Sequence, residues 1–271
     1  MIQLWNTLLF HPLINALIGF YKLTGNLGWS IVFLTISLRL LMTPLILPSL
    51  KISKKMAELS PELSKLKETF KNDKQGLVSA QAELYKKHGA NPASGCLPQI
   101  VQLLVLIALF NALNSVLRPN GASVADHLNP LLYSFNQLTS DFNFSTRFFY
   151  LDLLKPDTFR LSGIPVPLPG LFLLISAAVQ LISSKMMLPV ISAEKKIADK
   201  TKGATDDVMV EAQQQMAFMF PLMTIFIGFQ FPSGLVLYWL VFSAVSAVQQ
   251  YFATGWGGMT PWLRKLNLLK S

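Results

Sequence analysis

The sequence predicts an all-α membrane protein with five spanning helices, and three observations predict it. Of 271 residues, 52% are hydrophobic and 14% charged, against about 25% charged in an average soluble domain. Five apolar segments approach the roughly 20 residues that a helix needs to cross a bilayer. The basic residues gather in loops that would share one side of it. The mean hydropathy of +0.44 agrees, and a water-soluble fold would leave too much of this apolar surface uncovered.

Residues 1–26 have no basic start and no small-residue cleavage site, so they are not a signal peptide. His11, Pro12 and Asn15 interrupt Trp5, Leu8, Leu9, Phe10, Leu13, Ile14 and Leu17. That mixture predicts an amphipathic helix lying in the external interface, with a short extra span as the alternative. The first span is 27–48, with Pro44 and Pro48 expected to close it. Residues 49–96 carry Met56, Leu59, Leu63, Leu66 and Phe70 at helical steps, with lysines between. Ser60-Pro61 starts a fresh helix, and Asn72 to Gly76 breaks the pattern before Leu77, Ala80, Leu84 and Tyr85 resume it. This predicts a cytoplasmic helical hairpin.

The second span is 97–117, opened by Pro98. An external segment, 118–167, is rich in aromatic residues suited to an interface. The third span is 168–188, followed by a second cytoplasmic loop, 189–215. The fourth and fifth spans, 216–253, are joined by the turn signal Phe231-Pro232-Ser233-Gly234 and form a tight hairpin. Residues 254–271 are a short cytoplasmic tail. Counting Lys185 at the end of the third span with the loop that follows it, seventeen basic residues fall on one side and five on the other. The asymmetry puts the N-terminus outside and the C-terminus in the cytoplasm.

The net charge of +9 fits this topology and anionic lipid better than sequence-specific nucleic acid. Cys96 is the single cysteine, and His11, His88 and His127 are scattered, so neither a disulfide nor a metal site is expected. No predicted span holds an aspartate, glutamate or histidine, which leaves an intramembrane enzyme without a catalytic pair. No cofactor is implied.

Arg39 is the most informative residue. It sits near the middle of the first span, and no acidic residue lies in any predicted span to neutralise it. Burying arginine at a helix centre costs about 2.5–3.5 kcal/mol or more, so such a residue faces a bundle interior or a wet cavity. Thr35 shares its helical face. Gln102 in the second span and Tyr238 and Trp239 in the fifth are the other candidates to line a polar recess. A small-anion transporter or channel, with Arg39 as its selectivity charge, is the competing reading. It would be expected to show pseudo-repeats and matched broken helices, and the sequence has neither.

Four stretches resemble one family in the correct order. They are Thr35-Ile36-Ser37-Leu38-Arg39 with Pro44-Leu45, Asn91 to Pro98 with Gln102, Tyr150 to Leu153 with Lys155-Pro156-Asp157, and Phe231 to Trp239 with Gln249-Gln250. They resemble the YidC-type membrane protein insertases and their mitochondrial and chloroplast relatives. The resemblance implies five helices around a hydrophilic groove open to the cytoplasm and to lipid, in a bacterial plasma (inner) membrane. It implies that Arg39, Thr35 and Gln102 line that groove. Trp239 falls where some relatives have tyrosine. The implied activity is insertion and chaperoning of membrane proteins, with nascent membrane proteins and the phospholipid bilayer as partners. Contact with the ribosome or the Sec translocon is implied through the second loop and the tail. The tail here is short, with Arg264, Lys265 and Lys270 as its basic residues, and departs from the long basic tails that bind ribosomes.

Overall fold

A computed structural model of the chain describes residues 2–70, 73–89, 97–117, 123–163, 165–187 and 205–267. The motif residues 91–96 and most of the second loop, 189–204, lie outside these. The described residues are mostly helical, in two compact units. One comprises 1–41, 100–178 and 223–243; the other comprises 42–99, 179–222 and 244–271.

In the first unit, α1 (Ile2–Trp5) passes through a π-helical stretch (Asn6–Phe10) into α2 (His11–Thr24). Leu13, Ile14, Leu17, Ile18 and Tyr21 recur on one face of α2 and are buried in the hydrophobic core. The expected interfacial helix therefore packs its apolar stripe on protein, because the external segment supplies apolar partners such as Leu128, Leu132 and Leu138. Burial of each large side chain is worth roughly 2 kcal/mol relative to water. Asn15, also buried, holds the contact in register. Its amide donates to the carbonyls of His11 (2.8 Å) and Leu131 (3.1 Å), and its Oδ1 accepts from the Tyr133 N–H (2.7 Å). The helix ends at Gly25, whose φ of +67° closes the last turn onto the Tyr21 carbonyl.

Helix α3 (Leu27–Glu58) does not stop at Pro44 or Pro48 as expected. A proline removes one hydrogen bond, but leaving backbone groups open to lipid would cost more, so spanning helices tolerate it. Its apolar part is Leu27–Pro48, and from Met42 onward the helix belongs to the second unit. There α4 (Ser60–Thr69) has Pro61 in its first turn, and α5 (Lys74–Lys87) is capped by Asp73, which accepts from the Gly76 N–H at 2.9 Å. Leu59 and Leu63 pack with Leu84 and Tyr85, the residues expected to seal a helical hairpin.

Helix α6 (Leu97–Leu117) covers the residues read as the second span. The external segment is not purely helical. After α7 (Val124–Leu128) it folds into two short antiparallel hairpins, β1 (Arg147–Phe148) with β2 (Leu151–Asp152), and β3 (Thr158–Phe159) with β4 (Leu168–Pro169). Helix α8 (Leu171–Met187) follows. Helix α9 (Thr205–Gly228) starts well before the expected Met216 and carries Pro221 inside it. Helix α10 (Ser233–Thr254) and α11 (Thr260–Lys265) complete the described chain. By length and apolarity, Leu27–Pro48 and Ser233–Ala253 can each cross a membrane, and Val101–Val116, Leu171–Met187 and Phe218–Gly228 are shorter apolar stretches.

The external segment holds the starts of two of these helices. The Ser233 N–H donates to the Lys155 carbonyl (2.8 Å) and the Gly234 N–H to that of Leu153 (3.2 Å), filling donors that a helix start leaves open. A side chain at Gly234 would press on the Leu153 carbonyl and Ile31. At α8, Asp157 accepts from the Leu173 N–H (2.8 Å), while the Tyr150 hydroxyl accepts from the Phe172 N–H (2.8 Å) and donates to the Asp157 carboxylate (3.1 Å). In the second unit, the tail is not a bare extension. Trp262 of α11 lies under the Lys185 ammonium, 3.0 Å from ring centroid to nitrogen.

Candidate functional site

The candidate residues of the first unit come from three apolar helices. Arg39 is carried by α3 after Ile31 and Leu34, which anchor that helix in the core. Its position is thus set by packing on the side away from solvent. Arg39 is 9% exposed. Its guanidinium carbon stands 4.2 Å from the centroid of the Phe242 ring of α10. An aromatic face attracts a cation electrostatically, by about 2 kcal/mol where water is displaced. The exposure is lower than a cation surrounded by water would show, and the ring replaces part of the hydration expected there.

Tyr238, one turn before Phe242 on α10, is 1% exposed. The two rings lie 5.9 Å apart and tilted by 38°. Arg39 and Tyr238 are within electrostatic reach of one another. The Tyr238 hydroxyl accepts a hydrogen bond from the Gln102 Nε2 of α6 at 2.7 Å. Cation, aromatic face, phenol and carboxamide therefore form a continuous chain from α3 through α10 to α6. An arrangement of this kind can offer positive charge and hydrogen bonds to a peptide, but it contains no nucleophile paired with a base.

The structure thus brings Arg39, Tyr238 and Gln102 together. It treats the other two candidates differently. Thr35 is 1% exposed, and its hydroxyl donates to the Ile31 carbonyl of its own helix at 2.6 Å. This back-bonding, common for threonine within helices, uses the hydroxyl's proton locally. Trp239 packs against the core cluster, and its indole makes no hydrogen bond among the described residues. Phe242 was missed by sequence reasoning, although it lies one turn beyond Tyr238. An aromatic residue in an apolar helix gives no signal of its own until the cation above it is known. Gln249 was noticed only as part of a motif. In the second unit its Nε2 donates to the Thr43 hydroxyl at 2.8 Å and ties α10 to α3.

The Gln102–Tyr238 bond predicts a coupled response. Tyr238→Phe leaves the Gln102 amide without its acceptor and is expected to cost about 1 kcal/mol. Removing both polar groups, Gln102→Leu with Tyr238→Phe, is expected to recover most of that loss, since neither partner is then stranded. Thermal unfolding of the two single variants and the double variant measures the coupling.

The chain is similar to known proteins over most of its length. Residues 19–257 match the family model described as 60Kd inner membrane protein. A membrane protein insertase YidC of Fusobacterium nucleatum is 34% identical over 231 residues, covering 85% of this chain and 87% of that protein. Proteins of the same name from Geobacter sulfurreducens and Pelobacter propionicus are 30% and 32% identical and cover 92% of this chain. The chain spans only 37% and 39% of those two longer relatives. The match includes the motifs of α3, α6, the external segment and α10 in one alignment range, and with it the helices that bring Arg39, Tyr238 and Gln102 together. This chain belongs to the 60Kd inner membrane protein family, the family of the YidC-type insertases.

Proposed function

We propose that this chain is a membrane protein insertase and chaperone of the bacterial inner membrane, acting through Arg39. Family membership supports the reaction class. The single observation that carries the mechanism is a cation inside an apolar helix, lodged on an aromatic face and next to a phenol–carboxamide pair. Five helices cross the bilayer in this reading: α3 through Leu27–Pro48, α6, α8, α9 through its apolar C-terminal part, and α10 through Ser233–Ala253. The N-terminus is outside and the C-terminus in the cytoplasm.

A substrate's hydrophilic external tail has to pass an apolar layer. A polar recess at Arg39, Gln102 and Tyr238, open toward the cytoplasm, shortens that layer. Arg39 attracts acidic residues of the tail, and weak screening strengthens the attraction. The substrate's apolar helix leaves sideways into lipid, and its transfer out of water drives the step without a nucleotide. The hairpin of α4 and α5 receives the nascent chain. Ribosome and Sec translocon contacts fall to the second loop, since the tail lacks the length and basic residues of the tails that bind ribosomes.

Proteoliposomes containing the purified protein test this reading. The expected result is integration of a small single-span protein, with photocrosslinks to it from a probe at Gln102. Movement of a small anion without integration would replace the reading with a transporter.

A further inference from the structure

A second polar feature of the first unit lies apart from Arg39. An open recess of about 510 Å³ is lined by Trp5, Asn6 and Phe10 from the N-terminal helix, and by Asn111, Asn114 and Ser115 from the end of α6, with His127 of α7 at its edge. Its volume is that of more than ten waters at about 30 Å³ each, within the range of small-molecule sites.

Three features set it apart from an ordinary surface crevice. Asn111, Asn114 and Ser115 occupy one face of the last turns of an otherwise apolar helix. Carboxamides there are costly against lipid unless something bonds them. Next, the side chains of Asn6, Asn111 and Asn114 make no hydrogen bond among the described residues, so three carboxamides are available to a ligand. Ser115 differs, as its hydroxyl donates to the Asn111 carbonyl at 2.9 Å. Finally, the backbone is π-helical at the recess. The His11 N–H bonds the Asn6 carbonyl, five residues back, and Trp5 and Phe10 stand one wide turn apart, both lining the recess. Single π turns inside helices recur at functional sites.

The lining chooses among ligand classes. Among the described residues that line it there is no aspartate, glutamate, lysine or arginine, and carboxamides and hydroxyls suit a neutral ligand better than phosphates and other ions that call for charged partners. It is too polar for an acyl chain. Carboxamides and a serine hydroxyl both donate and accept, as the hydroxyls of a sugar do. Trp5 and Phe10 add apolar faces for the C–H side of a sugar ring. In the orientation proposed above, the recess opens at the outer interface, where aromatic residues collect.

We propose that this recess binds the neutral hexosyl headgroup of a glycolipid in the outer leaflet. The assignment to the outer leaflet rests on the proposed orientation; recognition of the headgroup does not. A lipid held here by its sugar would brace the N-terminal helix against α6.

The test is native mass spectrometry of the full chain released from nanodiscs containing equal amounts of a monoglucosyl diacylglycerol and a phosphatidylglycerol of the same acyl chains. The glycolipid is expected to be retained about tenfold over the phosphatidylglycerol. Excess methyl glucoside is expected to displace it. Asn111→Leu with Asn114→Leu, and separately Trp5→Ala, are expected to bring the two lipids to parity. Parity in the unaltered protein, preference for the phosphatidylglycerol, failure of methyl glucoside to compete, or full preference in both variants would each overturn the proposal. The double variant places leucines in an apolar helix and Trp5→Ala lies on another element, so a folding failure in one leaves the other decisive. Lipid retention is read without any insertion assay, so a failure of the insertase reading would be seen separately.

Discussion

Replacing Arg39 with alanine is expected to cut insertion of a single-span substrate with acidic external residues by about tenfold, the factor that 1.4 kcal/mol represents. The loss has two physical sources. The recess would lose the charge that draws the acidic tail inward, and Phe242 would lose the cation held 4.2 Å above its ring. Arg39→Lys keeps the charge and can keep a weaker contact with the ring, so its loss is expected to be about threefold or less. Arg39→Glu is expected to be worse than alanine, because it repels the tail. A substrate with a neutral tail separates attraction from folding. Its insertion should fall much less in Arg39→Ala than that of the acidic substrate. Equal insertion of acidic and neutral tails by all four proteins would remove the charge from the mechanism. Protein levels and thermal midpoints of each variant are measured alongside.

The second large effect is expected outside the spans. Asp157 is 5% exposed, accepts from the Leu173 N–H and the Tyr150 hydroxyl, and holds the first turn of α8. Its own carbonyl accepts from the Gly170 N–H at 2.8 Å. A side chain at Gly170 would run into the Asp157 carboxylate, so glycine keeps the approach close. Asp157→Ala strands a backbone donor and a phenol together and is expected to cost about 3 kcal/mol of stability. Asp157→Asn retains one acceptor and should cost about half of that. Thermal unfolding in nanodiscs reads both.

The same network has an alkaline limit. Burial pushes the Tyr150 phenol above its ordinary value of 10.0, and the neighbouring Asp157 carboxylate raises it further, although the Phe172 N–H works the other way. A raised value means that the folded chain holds this proton more tightly than the unfolded chain. The associated stability is complete below pH 10 and is lost as pH rises through the folded value. Tyr150→Phe should flatten that part of the stability profile.

Much of this was legible along the chain. Helix α6 covers the apolar run that hydropathy marked, because an apolar backbone segment satisfies its hydrogen bonds internally. Pro61 announced the start of α4 by its place in a first helical turn, whereas Asp73, read only as part of a break in the pattern, proved to cap α5. Arg39, Gln102 and Tyr238 stood out as polar groups in apolar surroundings. The prolines of α3 misled, since a rule derived from water-exposed helices met a helix whose backbone has nowhere else to bond. The short hairpins of the external segment were invisible, since two-residue strands carry no periodicity to read.

By itself, then, the amino-acid order determined the helical class, the apolar segments, the basic asymmetry of the loops and the family. Those follow from local composition and spacing, which act on neighbours a few residues apart. Tertiary structure alone decided that α2 buries its stripe on the external segment, that Phe242 lies beneath Arg39, that Gln102 meets Tyr238, and that three carboxamides share a recess with Trp5. These contacts join residues far apart in the chain. Which groups meet depends on how whole helices pack, and packing is settled by the sum of many weak contacts that no single stretch of sequence contains.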